Sequence, residues 1–222
     1  MAGPFILGQR HGKLSEHDEA LDQAWEAICL GISFIGLAIR VYVVGYAPKR
    51  TSGRNTARQV AETLNTTGAY SLVRHPLYVG NFVIWLGIAL FGHLWWLTLV
   101  AVLVFFLYYE RIMLAEEAYL REKFGREFEV WADRTPAVIP SARNWSRPTA
   151  PFSLRSVLKR EYGGFFAIIV TMFMLEVSGD LLAGDGFELD TMWGVLLGLG
   201  FATWITLRVL KKKTGLLDVE GR

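Results

Sequence analysis

The apolar residues of this chain fall in blocks of membrane-spanning length, and that arrangement limits its fold more than any other feature. Residues 25–46 form one such block, and about 20 residues rising 1.5 Å each suffice to cross a hydrocarbon core. Two further blocks, 76–91 and 94–109, are divided only by Gly92 and His93 and read as a tight helical hairpin. Blocks at 165–182 and 192–210 complete a count of five. With 52% hydrophobic residues and eight Trp among 222, the chain lies outside the range of an ordinary soluble domain. The expected fold is an all-α, polytopic transmembrane bundle of about five spans.

Charge sets the expected orientation. Segments 45–79, 110–164 and 208–222 hold 5, 10 and 5 of the 23 Lys and Arg, while the hairpin tip and the 183–191 loop hold none. Basic connections stay on the cytoplasmic side, so the C-terminus with Lys211, Lys212 and Lys213 is expected inside and the N-terminus outside. Residues 1–23 read as a polar arm with no cleavable signal, 24–140 as a transmembrane core, 141–162 as a linker, and 163–222 as two further spans with a basic tail. The single Cys29 lies inside the first block and is expected to be packing.

Two stretches carry candidate chemistry. The first is Gly68 to Gly80, GAYSLVRHPLYVG, where Arg74, His75, Pro76 and Tyr78 stand at the start of a span. These residues can serve as interfacial anchors, a helix-starting proline and an aromatic belt, or they can contact a polar ligand through side chains and the free backbone groups of a helix start. The second is Glu116 and Glu117 on a helix that continues out of the membrane, followed by Leu120, Phe124, Gly125, Glu127, Phe128, Trp131, Arg134, Pro136, Ile139 and Pro140. Adjacent helical residues point about 100° apart, so one carboxylate is expected to face a site and the other to support it.

Together the two strings resemble the isoprenylcysteine carboxyl methyltransferase and phospholipid methyltransferase superfamily over residues 64–140. The resemblance implies an intramembrane enzyme with a cytosolic-side cofactor pocket, taking S-adenosyl-L-methionine from the cytosol and a lipid or lipidated acceptor from the bilayer. It places cofactor contacts on Leu64, Asn65, Tyr70, Arg74, His75, Pro76, Leu77, Tyr78, Gly80 and Glu116, and catalytic roles on Glu117, Arg111 and Arg134. The residue types suit that cofactor, whose ammonium and sulfonium want a carboxylate, whose carboxylate wants Arg or His, and whose adenine wants an apolar wall. Where those carboxyl methyltransferases carry an arginine one turn before the first carboxylate, this chain has Ile112, with Arg111 beside it, which weakens a prenylcysteine assignment. The many basic residues favour an anionic head group such as a lipid phosphate; an ethanolamine amine and a prenylated carboxylate remain open.

Other features carry weaker expectations. Arg40 near the end of the first block is expected to snorkel to the interface. Glu176 and Asp180 share a helix face and are candidates for function by their depth. Gly194, Gly198 and Gly200 read as a helix-packing face, and the last two spans are candidates for contact between copies of the chain. No metal set and no nucleic-acid partner are expected. A membrane sterol reductase using NADPH has a similar layout, but the paired carboxylates would not help it hold the extra phosphate. A small proton-linked carrier built on Glu176 and Asp180 is the non-enzymatic alternative.

Overall fold

A computed structural model describes residues 16–48, 61–183 and 190–219. They form helices α1 (Glu16–Tyr46), α2 (Pro76–Phe91), α3 (Trp95–Phe124), α4 (Arg126–Ala132), α5 (Leu154–Ala183) and α6 (Thr191–Lys213), with 3-10 turns at Gly68–Ser71 and Ala142–Asn144. No strand occurs among the described residues. Most of the polar arm, the basic connection with Lys49, Arg50, Arg54 and Arg58, and the acidic loop with Asp185 and Glu188 lie outside them.

Helices α1, α3, α5 and α6 are each long and apolar enough to cross a membrane. The apolar α2 is shorter, 16 residues or about 24 Å. The protein is therefore an integral membrane helical bundle of roughly five spans. Helix α1 begins at Glu16, nine residues before the apolar block that starts at Trp25.

The α2–α3 hairpin forms where the sequence places it. Pro76 occupies the first turn of α2, where a missing N–H costs nothing. At the tip His93 adopts a left-handed φ of 55°. Its Nε2 lies 3.2 Å from Asp22 Oδ1, and Trp25 Nε1 donates to the Leu90 carbonyl at 3.2 Å, so α1 clips the turn. Helix α3 runs on past the apolar block and stops at Gly125, whose φ of 51° suits glycine.

Close backbone approach joins α1 to α2. A Cβ at Gly36 would sit 2.6 Å from both Gly80 O and Ile84 N, and one at Gly87 would sit 2.3 Å from Ser33 Oγ. Without a hydrophobic drive in lipid, such small-residue contacts and interhelical hydrogen bonds hold helices together. Ser33 Oγ adds one, donating to Ile84 O at 3.0 Å. Next to this seam Cys29, Leu37, Phe91, Ile168, Met172 and Trp193 form a buried cluster that brings α5 and α6 onto the pair. Trp193 Nε1 donates to the buried Glu26 at 3.0 Å. Of the expected glycine face on α6, Gly200 packs against Ile169 and Phe166, whereas a Cβ at Gly198 would meet nothing within 4 Å.

Arg40 does not snorkel. It is 6% exposed, with Nε and Nη2 each donating to the Glu161 carboxylate at 2.8 Å and Nη1 donating to Asn81 Oδ1. A bidentate carboxylate makes burial of the guanidinium tolerable, and it comes from α5, more than a hundred residues away in sequence.

Candidate active site

The site is built on the turn that precedes α2. Residues 68–75 cannot hydrogen-bond as a regular helix, so their backbone groups need other partners. Some are local, and others come from α4 and the segment after it. Arg74 N donates to Pro136 O at 2.9 Å, Ser141 N to Leu72 O at 2.9 Å, and Gly68 N to Ser146 O at 3.1 Å. Trp131 Nε1 donates to Tyr70 O at 3.0 Å, and Ser71 Oγ accepts from Ser146 N at 3.1 Å. The stretch expected to be an extended linker is thus the outer half of the frame that fixes the turn.

That frame sets His75 between both carboxylates of α3. Its Nε2 lies 2.9 Å from Glu117 Oε1 and its Nδ1 lies 3.5 Å from Glu116 Oε2. The divergence of adjacent helical side chains is met by the two nitrogens of one ring. Glu117 also accepts from Arg74 Nη1 at 2.8 Å, and Glu116 from Tyr78 Oη at 3.0 Å. Burial alone would push the His75 imidazole down, but hydrogen bonds and charge from Glu116 and Glu117 outweigh it and hold the group above the usual histidine range. The His75 and Tyr78 rings stack at 5.5 Å.

The carboxylates differ in access. The Glu117 side chain is 14% exposed and engaged by Arg74 and His75, while that of Glu116 is 39% exposed and can reach a ligand. Beside them the buried Arg74 Nε has no hydrogen-bond partner. A buried donor without a partner is costly, so it marks a place where an acceptor is due.

A polar chain links this cluster to the bundle interior. Asn81, bonded to Arg40, donates to Tyr109 Oη at 2.9 Å, and the Tyr109 ring packs on Tyr78 at 4.9 Å. Along the turns of α3 that precede Glu117 lies a groove of about 450 Å³. Phe106, Leu107, Met113 and Leu114 line its apolar length, and Arg74, Glu110 and Glu117 its polar lining.

Among the residues singled out from sequence, the structure brings together Arg74, His75, Tyr78, Glu116 and Glu117. Pro76 and Leu77 shape the helix start beside them, and Tyr70 contributes its carbonyl to Trp131. Leu64 is half-buried, and Asn65 Oδ1 accepts from Thr67 N in its own turn at 3.2 Å. Gly80 faces α1, where a Cβ would meet Arg40 Cγ at 2.6 Å. Arg111 and Arg134 are exposed, and no bond from either to Glu116 or Glu117 occurs; the Arg134 carbonyl accepts from Asn144. Sequence reasoning missed Asn81, Tyr109 and Glu161. Asn81 could have been found as a polar residue inside an apolar block, three residues after Tyr78 and so on its face.

A family model described as phospholipid methyltransferase matches residues 27–127, the stretch from α1 through the carboxylate pair. The chain is similar to the protein-S-isoprenylcysteine O-methyltransferase of Schizosaccharomyces pombe, 38% identical over 77 residues, 35% of this chain and 33% of that one. Over 120 residues it is 33% identical to the nickel-cobalt-cadmium resistance protein NccN of Alcaligenes xylosoxydans xylosoxydans, covering 54% of each. It is equally similar to the cobalt-zinc-cadmium resistance protein CzcN of Cupriavidus metallidurans, covering 54% of this chain and 53% of that one. The chain thus spans about half the length of these two relatives. No solved structure matches it. Over this stretch the family match and the yeast relative support the membrane methyltransferase superfamily that its two motifs resemble.

Proposed function

We propose that the protein transfers a methyl group from S-adenosyl-L-methionine to an amphiphilic acceptor that reaches the site from the bilayer. The observation that carries this reading is one cluster, joined through His75 and Glu117, that holds both the reachable Glu116 carboxylate and the unpartnered, buried Arg74 Nε. A zwitterionic amino acid moiety with a nearby sulfonium needs an anion and a donor, and this cluster supplies both. Glu116 would hold the cationic end, Arg74 Nε the carboxylate, and the partly buried Tyr78 ring an aromatic face, with His75 stacked behind it. The bound cofactor supplies a methyl group made electrophilic by its sulfonium.

The chain's own part is positioning and exclusion of water. Glu117 fixes Arg74 and His75, and through them the turn, so that the donor and carboxylate keep their places without reorganising. The groove receives the acceptor's apolar portion along Phe106, Leu107 and Leu114 and points its head group toward Glu117. Because Arg74 is already bonded to Glu117, the polar lining has surplus negative charge from Glu110. This favours an amine head group over a phosphate, and Glu110 is available to take the amine's proton. The basic residues that favour an anionic acceptor in the sequence include Lys159, Arg160 and Lys211, which line a different pocket. A cytoplasmic-facing site agrees with the distribution of basic residues. The family match and Glu116 also favour this reading over a nicotinamide-dependent reductase.

Calorimetry of S-adenosyl-L-methionine on the detergent-purified full chain tests the reading. Wild type is expected to bind, with Glu116→Ala and His75→Ala weakening binding at retained fold. A well-folded wild type that binds NADPH and not this cofactor would overturn it. With binding established, transfer of labelled methyl to phosphatidylethanolamine in preference to phosphatidic acid is the expected acceptor result.

A further inference from the structure

A second concave site lies away from the carboxylate pair, where the last residues of α1, the first turns of α5, the end of α6 and the chain beyond it meet. It has a volume of about 240 Å³ and is lined by Val44, Ala47, Pro48, Ser156, Lys159, Arg160, Lys211, Leu217 and Val219. Three of these residues are cationic and none is acidic. One counter-charge lies nearby, Asp218, which pairs with Lys159. Lys211 Nζ sits 5.2 Å from the Tyr162 ring, and no carboxylate pairs with Arg160 among the described residues. With Lys159 paired to Asp218, Arg160 and Lys211 still face one concavity with no carboxylate between them, and they repel each other unless an anion enters. Leu217, 6% exposed, anchors the chain beyond α6 against the bundle and so keeps the concavity's wall in place.

The surroundings favour a lipid as the source of that anion. The pocket sits where three apolar helices end, which is the head-group level of a bilayer. Exposed apolar side chains flank it: Phe152 at 45%, Leu154 at 60% and Leu216 at 61%. A basic pocket between membrane helices with apolar residues at its rim suits a phosphate diester whose acyl chains continue into the bilayer.

We propose that this pocket binds the head group of an anionic phospholipid, held by Arg160, Lys211 and Lys159 with the Ser156 hydroxyl, and clamps the ends of α1, α5 and α6. The site is independent of the methyl-transfer reading, since it shares no lining residue with the groove at Glu117. A ligand that binds only the folded state raises its melting temperature, by roughly 5–10 °C at about a hundredfold excess over Kd for a chain of this size.

The experiment is thermal unfolding of the full chain in neutral detergent doped with phosphatidylglycerol or, at the same mole fraction, phosphatidylcholine, with inorganic phosphate as a third arm. Phosphatidylglycerol is expected to raise the melting temperature of wild type and of the charge-keeping Arg160→Lys/Lys211→Arg pair. The Arg160→Gln/Lys211→Gln pair is expected to lose most of the rise, and an Arg143→Gln/Arg147→Gln control to keep it. Should the first Gln pair fail to fold, Lys211→Gln alone is expected to show a reduced rise. An equal rise with phosphatidylcholine, an undiminished rise in the Arg160 and Lys211 Gln variants, or an equal loss in the control would overturn the proposal. A full rise with inorganic phosphate alone would reassign the site to a soluble phosphate.

Discussion

Glu161→Gln isolates the buried ion pair that joins α5 to α1. The substitution keeps the side chain's size but leaves the Arg40 guanidinium, 8% exposed at its side chain, without its counter-charge. Removing one member of a buried pair costs about 3–5 kcal/mol, because a desolvated charge is left uncompensated. At about 2–4 °C per kcal/mol for a chain of this length, the melting temperature should fall by roughly 6–20 °C. Removing both charges in Arg40→Met/Glu161→Met should recover most of that loss, since apolar replacement of a buried pair is often neutral or better. The remaining deficit, about 1 kcal/mol, reflects the hydrogen bond that Asn81 loses. Tryptophan fluorescence during heating in detergent reports both, with Trp193, 1% exposed, as an internal probe. A Glu161→Gln protein that melts with wild type, or a double variant that melts as low as the single, would refute the account.

Gly36→Ala should destabilise by about 1–3 kcal/mol, because its Cβ meets backbone atoms of α2 at 2.6 Å and forces the helices apart. Gly163→Ala on α5, with nothing within 4 Å, should be neutral or stabilise by up to about 1 kcal/mol; the two melting curves check the contrast. Trp131→Phe should remove the bond to Tyr70 O at about 0.5–1.5 kcal/mol, seen as faster amide exchange over residues 68–73. His75 lies above its unfolded value of about 6.5, so its contribution to stability is full below that pH and is lost as pH rises through the folded value. The melting temperature should therefore fall over that window in wild type, and the slope should flatten in His75→Asn. A wild-type melting temperature that rises across the same window would contradict the raised value.

The membrane bundle, the hairpin and the pairing of the Gly68–Gly80 turn with Glu116 and Glu117 were legible in the chain itself. Block length dictates the spans, because each apolar run either crosses lipid or is left facing water, and the helix through Glu117 has no breaker before Gly125. Tertiary structure alone decided the fate of the polar groups inside those blocks. Arg40 read as a snorkelling anchor because its partner Glu161 lies in a segment that looked like linker, 121 residues along. Likewise Gly80 read as part of a ligand turn, yet it serves the approach of α1, and Arg134 stays at the surface. The difference is physical. Hydrophobic burial adds up residue by residue and leaves its mark in local composition, whereas the cost of a buried charge or unpaired donor depends on what stands opposite it, and only packing brings that partner into place.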